Sequence, residues 1–160
     1  MDAIQLLKQQ HEEVRKLFVE LEHTQDEDDK WTIFEELADN LAAHATIEES
    51  IFYPAAYAKS TKDLLAEAEE EHLAVKRIIA DLLELMPDDE DFDAKVKLLK
   101  EEVEHHVEEE ESELLEKAKK ELSTEERAEL GARMEQLFEQ SMDDDPSGKI
   151  PRQIAAAPLH

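Results

Sequence analysis

His11, His44, His72 and His106 each stand in a stripe of apolar residues, and Glu48 and Glu110 follow two of them by four residues. Imidazole and carboxylate together suit iron, manganese or zinc; with no cysteine in the chain, thiolate ligands and thiol catalysis are ruled out. On a helix, His-x-x-x-Glu sets both side chains on one face, a turn apart. A buried carboxylate is costly unless a cation compensates it, and the stripes around Glu48 and Glu110 hold no Lys or Arg. The chemistry these six residues point to is the holding of two metal ions, with a pair of carboxylates to bridge them.

The positioning elements are helices. Apolar residues recur at steps of three and four through Ile4, Leu7, His11, Val14, Phe18 and Leu21, and again through Phe34, Leu37, Leu41, His44, Glu48 and Ile51. A third stripe runs Leu65, Ala68, His72, Val75, Ile79, Leu82 and a fourth Val96, Leu99, Val103, His106, Glu110, Leu114. Breaks fall at Thr24–Lys30, at Pro54 with Lys59-Ser60-Thr61, and at Met86–Asp89. A fifth helix is predicted from Ser123, where Ser-Thr-Glu-Glu forms a capping box with Glu126, to near Met142. The fold expected is all-α: an up-down-up-down four-helix bundle with an additional C-terminal helix. Residues 1–141 form the bundle and fifth helix, and 142–160, with an acidic run, Pro-Ser-Gly and scattered small apolar residues, an irregular tail.

The two halves repeat. His11 to His72 spans 61 residues, while His44 to His106 and Glu48 to Glu110 each span 62. Within each helix pair the two histidines lie 13 or 14 residues from the edges of the shared loop. With a rise of about 1.5 Å per residue, this sets them level in antiparallel neighbours. His105 competes with His106 for the fourth position, but its helical neighbours are Glu101, Glu102, Glu108 and Ser112, a solvated face. A second scheme, Glu69-x-x-His72 with Glu102-x-x-His105, has the spacing of ferritin-like di-iron bundles, yet leaves His11 and His44 idle on core faces. His23 beside a loop and His160 at the end are expected in solvent.

Composition excludes several classes. A net charge of −26 opposes binding to nucleic acid phosphates or to an anionic membrane surface. No apolar run approaches the roughly 20 residues of a spanning helix, and the N-terminus lacks a signal pattern, so a cytoplasmic protein is expected. No nucleophilic triad or phosphate loop is visible.

The ordered set His11, His44-x-x-x-Glu48, His72, His106-x-x-x-Glu110, with His-x-x-x-Glu-Glu-Ser-Ile-Phe-Tyr-Pro at 44–54, resembles the hemerythrin-like, or HHE, cation-binding domain over about residues 1–122. That resemblance implies two non-heme irons, bridged by Glu48 and Glu110 and by an oxo or hydroxo group, with the histidines as terminal ligands. Oxygen-carrying hemerythrins have a further histidine one turn after the third-helix ligand; here Lys76 takes the place. The expectation moves from carrying oxygen to binding or reacting with O2, peroxide or nitric oxide, including catalase-like peroxide decomposition. Two alternatives stand beside it: an iron- or oxygen-sensing or iron-sequestering module without turnover, and a plain acidic bundle with buried histidines.

Overall fold

Acidic N-caps and long runs of Ala, Leu, Glu and Lys dictate the helices. The computed structural model describes residues 1–157, so His160 lies outside the described residues. Helix α1 (Ala3–Glu22) starts at Asp2, which forms a capping box with Gln5. Helix α2 (Glu27–Ile47) starts inside the expected Thr24–Lys30 break, because Asp26 accepts from the Asp29 N–H and three acids favour the positive end of the helix dipole. A π-helical turn (Glu48–Phe52) carries α2 into α3 (Tyr53–Ala56). Helix α4 (Lys62–Leu83) runs back, and α5 (Glu90–Glu109) is capped by Asp89. A second π turn (Glu110–Leu114) leads to α6 (Leu115–Glu121), and α7 (Thr124–Met142) opens on the Ser123–Glu126 capping box.

The expected four-helix bundle with an added helix is present. Helix α1 packs along α2 and α4 along α5, while α2 and α4 meet sparsely; α7 lies across α1 and α2. Gly131 lets α7 approach α1 closely, since a Cβ there would sit 2.4 Å from the Met1 carbonyl oxygen. Two apolar clusters fill the interior, one built on Phe18, Phe34, Leu82 and Phe92, the other on Leu7, Phe52, Leu114 and Leu115. Burying each such aromatic contributes about 1.5–3 kcal/mol. The polar layer of histidines and glutamates lies between the two clusters.

Two features differ from the sequence expectations. Ile51, placed in the second stripe, is half-buried, and Phe52 and Tyr53 are buried instead. The π turn adds one residue to the helix repeat and delays the apolar phase by one; the second π turn likewise buries Leu115 and Ala118, beside Leu114 of the fourth stripe, which is buried as expected. The expected irregular tail is partly helical, with a 3₁₀ turn (Ser147–Lys149) and a short α8 (Ile150–Ala156). Asp145, at φ 46°, reverses the chain, the Ser147 N–H donates to Asp39 Oδ1 at 3.1 Å, and Ile150 is fully buried against the first cluster. One anchored isoleucine carries no periodic stripe, which is why periodicity alone misses this element.

Candidate metal centre

All six singled-out residues meet in one layer. His11 comes from α1, His44 from α2, His72 from α4 and His106 from α5; Glu48 and Glu110 are the first residues of the two π turns. Each is buried, with Glu48 wholly so. Ligand-type atoms of His11, His44, Glu48 and Glu110 lie within 4.8 Å of one another, and those of Glu48, His72 and His106 form a second such group. Glu48 Oε1 is 3.2 Å from His44 Nε2 and 3.1 Å from His72 Nε2. Glu110 reaches His11 Nε2 at 3.3 Å through Oε1 and His106 Nε2 at 3.2 Å through Oε2. Each carboxylate therefore spans the two groups.

The outer nitrogens explain the ring orientations. His11 Nδ1–H donates to Glu111 at 3.0 Å, His44 Nδ1–H to the Gln10 side-chain oxygen at 2.7 Å, His72 Nδ1–H to Glu49 at 2.8 Å and His106 Nδ1–H to Glu71 at 2.7 Å. With Nδ1 tied outward, every Nε2 turns inward, the arrangement by which outer carboxylates orient metal-binding imidazoles. Sequence reasoning missed these four partners. The repeat held the signal: Gln10 and Glu71 each precede a histidine, and Glu49 and Glu111 each follow an inward glutamate. Tyr53 was also missed; its hydroxyl donates to Glu110 Oε2 at 2.6 Å and lies 3.3 Å from His72 Nε2.

Lys76 is buried at the edge of the site. It pairs with Glu49 at 3.3 Å, behind His72, and its counterpart Arg15 reaches Glu111 at 3.7 Å behind His11. Both cations thus support the outer glutamates, and the inward carboxylates gain no lysine or arginine partner among the described residues. His105 is exposed and faces Glu71 and Glu109, each at 3.5 Å. Glu69 and Glu102 take no part in either inward group, so the ferritin-like spacing is not the one assembled.

Electrostatics follow the geometry. Burial works to lower His11, His72 and His106, but hydrogen bonds and charge from Glu110, Glu48 and the outer glutamates prevail and raise all three, His106 most clearly. Burial pushes Glu48 up, yet the charge of His44 and hydrogen bonds from Glu110, His106 and His44 bring it well below the usual carboxylate range. Tyr53 is raised well above its usual value by burial and by the charges of Glu48 and Glu110. On the surface, Glu109 is pushed up to about 7 by sharing a hydrogen bond with Glu67, with some desolvation and repulsion from Glu71.

Four buried atoms have no hydrogen-bond partner: His11 Nε2, His44 Nε2, Glu48 Oε2 and Glu110 Oε1. Unsatisfied buried polar atoms are rare, and four converging ones of this donor chemistry fit a bound cation. A helical bundle with two carboxylates between two imidazole pairs defines the class of cation-binding bundle proteins. The chain belongs to the family described as the hemerythrin HHE cation-binding domain, whose sequence model matches residues 2–118. It is similar to the crystal structure of a hemerythrin HHE cation-binding domain-containing protein from Mycobacterium kansasii, at 25% identity and TM-score 0.80, covering 90% of this chain and 89% of that one. It is also 28% identical over 125 residues to a protein named DNA nickase from Nostoc sp.. The match takes in 78% of this chain but only 36% of that relative's length. No helix among the described residues is long and apolar enough to cross a membrane.

Proposed function

We propose that the chain holds two iron ions, one by His11 and His44, the other by His72 and His106, with Glu48 and Glu110 shared between them. The observation that carries this reading is the convergence of four inward Nε2 atoms on two buried carboxylates, each imidazole oriented from behind. The iron pair, when bound, supplies two-electron redox chemistry and coordination for O2, peroxide or nitric oxide. The chain's own residues do the rest. Gln10, Glu49, Glu71 and Glu111 keep the imidazole lone pairs inward, and Lys76 and Arg15 balance the outer carboxylates. Tyr53 holds a proton beside Glu110 and His72, where it can hydrogen-bond an incoming oxygen atom.

Catalase-like decomposition of peroxide is the turnover this site suits best, in a cytoplasmic setting; sensing or storage without turnover uses the same ligands. The nickase named among the relatives is nearly three times as long as the matched part. A net charge of −26 opposes contact with DNA phosphates, so that activity is not carried over.

Metal analysis with an optical spectrum tests the reading. About two irons per chain with charge-transfer absorption supports it, and a fully stable protein that takes up no metal refutes it. Oxygen release from added peroxide then separates turnover from sensing.

A further inference from the structure

The internal repeat extends beyond the ligands to the clefts that lead to them. A cavity of about 40 Å³ lies at the histidine layer, bordered towards the α2/α4 seam by Leu41, Ala42, Val75, Lys76 and Ile79 and on its other side by Val14, Val103 and Val107. Adding the repeat offsets of 62 for α2 and subtracting 61 for α4 converts the α2/α4 positions to Val103, Glu104, Val14, Arg15 and Phe18. All five line a second cleft, of about 190 Å³, along the α1/α5 seam. His11 also borders this cleft, so it reaches the metal-centre layer from the opposite side.

The two clefts differ in one respect. The α2/α4 seam is closed by the chain itself: Ile150 borders the small cavity at 0% exposure, α8 packs on α4, and the 3₁₀ turn packs on α2. The α1/α5 cleft has no such cover among the described residues. Its rim is polar and open, with the side chains of Arg15, Lys100 and Glu104 at 45%, 29% and 55% exposure, and Val19 at 50%. Its depth is apolar, through Val14, Phe18, Val103 and Val107.

We propose that the α1/α5 cleft is the access route by which a small neutral ligand such as O2, nitric oxide or hydrogen peroxide reaches the metal centre, and that residues 147–154 plug the twin route. An apolar throat suits uncharged molecules, because a hydrated ion would shed its water there without compensation. One plugged seam and one open seam also make access one-sided, ending at His11. This inference rests on the metal-centre reading above.

The test uses the reduced, iron-loaded chain with nitric oxide and, separately, metal-free chain with dissolved O2. Val19→Trp and Glu104→Trp each close the cleft from one lip, at positions half exposed or more, so folding is spared. Either variant is expected to slow nitric oxide association and release at least tenfold while the equilibrium constant stays within twofold. Rates within twofold of the parent for both variants overturn the route, as does a parent rate that falls with protein concentration because a second copy covers the cleft. Adding Ile150→Ala to Val19→Trp is expected to recover most of the lost rate, and no recovery overturns the plug. In the metal-free chain, relaxation by dissolved O2 at the Val14 and Val103 methyls, which border both spaces, should fall in Val19→Trp; unchanged relaxation counts against the route. Absence of nitric oxide binding at equilibrium would fault the metal-centre reading alone, since the methyl measurement needs no metal.

Discussion

Replacing Glu71 by Gln isolates what an outer carboxylate contributes. Glu71 Oε1 accepts from His106 Nδ1 at 2.7 Å, and its side chain is only 18% exposed, so solvent screens the contact weakly. Glutamine keeps an acceptor oxygen of the same reach; Gln10 already plays that part for His44. The ring should hold its orientation and lose only the charge. A charge-assisted hydrogen bond contributes about 1.5–3 kcal/mol against about 0.5–1.5 for a neutral one. The difference of about 1–1.5 kcal/mol corresponds to roughly a tenfold loss of metal affinity. Glu71→Ala removes orientation as well and should approach the roughly hundredfold end of such substitutions. Competition with a chelator of known affinity measures both. Because Glu71 also faces Glu109, the variant Glu109→Gln serves as the control for relieved repulsion. Affinity within twofold of the parent for Glu71→Gln, or equal losses for Gln and Ala, would refute the claim that charge and orientation act separately.

Three further outcomes are expected. His106→Ala should deplete bound metal while His105→Ala should not, as read by metal analysis; the reverse would mean the wrong imidazole of the pair had been assigned. In chelator-treated protein the raised histidines contribute stability that is full below their unfolded value of 6.5 and fades as pH rises through the higher folded values. The metal-free melting temperature should thus fall as pH rises above that value, while metal affinity rises because protons and cation compete for the same lone pairs; opposite slopes in both measurements would contradict the geometry. Gly131→Ala should destabilise by about 1–3 kcal/mol despite the better helix propensity of alanine, because the methyl meets the Met1 and Asp2 backbone. At about 2–4 °C per kcal/mol, a fall in melting temperature of several degrees follows, and a rise would show that α7 can shift freely.

Much of this was legible in residue order. Polar residues recurring inside apolar stripes gave the helix count, the inward faces and the six convergent side chains, and the 61- and 62-residue repeats set His106 ahead of His105. The outer shell was less legible for a physical reason. Glu49, Glu71 and Glu111 sit among 44 acidic residues, and only a tertiary contact across helices separates a glutamate behind a histidine from one in solvent. Tyr53 was hidden by the π turn, since a helix of uniform repeat would not turn it toward the neighbouring glutamate. The docking of Ile150 depends on Asp145 and Asp39, which hold the chain in place without any periodic pattern.

The paired π turns make the winding of the helix, as distinct from its composition, a functional variable in this chain. Each begins at the inward glutamate, so the helix upstream keeps the ordinary phase that aligns His44 with Glu48 and His106 with Glu110. Downstream, everything is rotated by one residue, and that rotation buries Tyr53 and carries its hydroxyl to Glu110. Winding the same residues as ordinary α-helix, with none lost, would swing the segment beyond by about 100°. All six inward side chains would remain, yet the one phenol that touches them would be turned away.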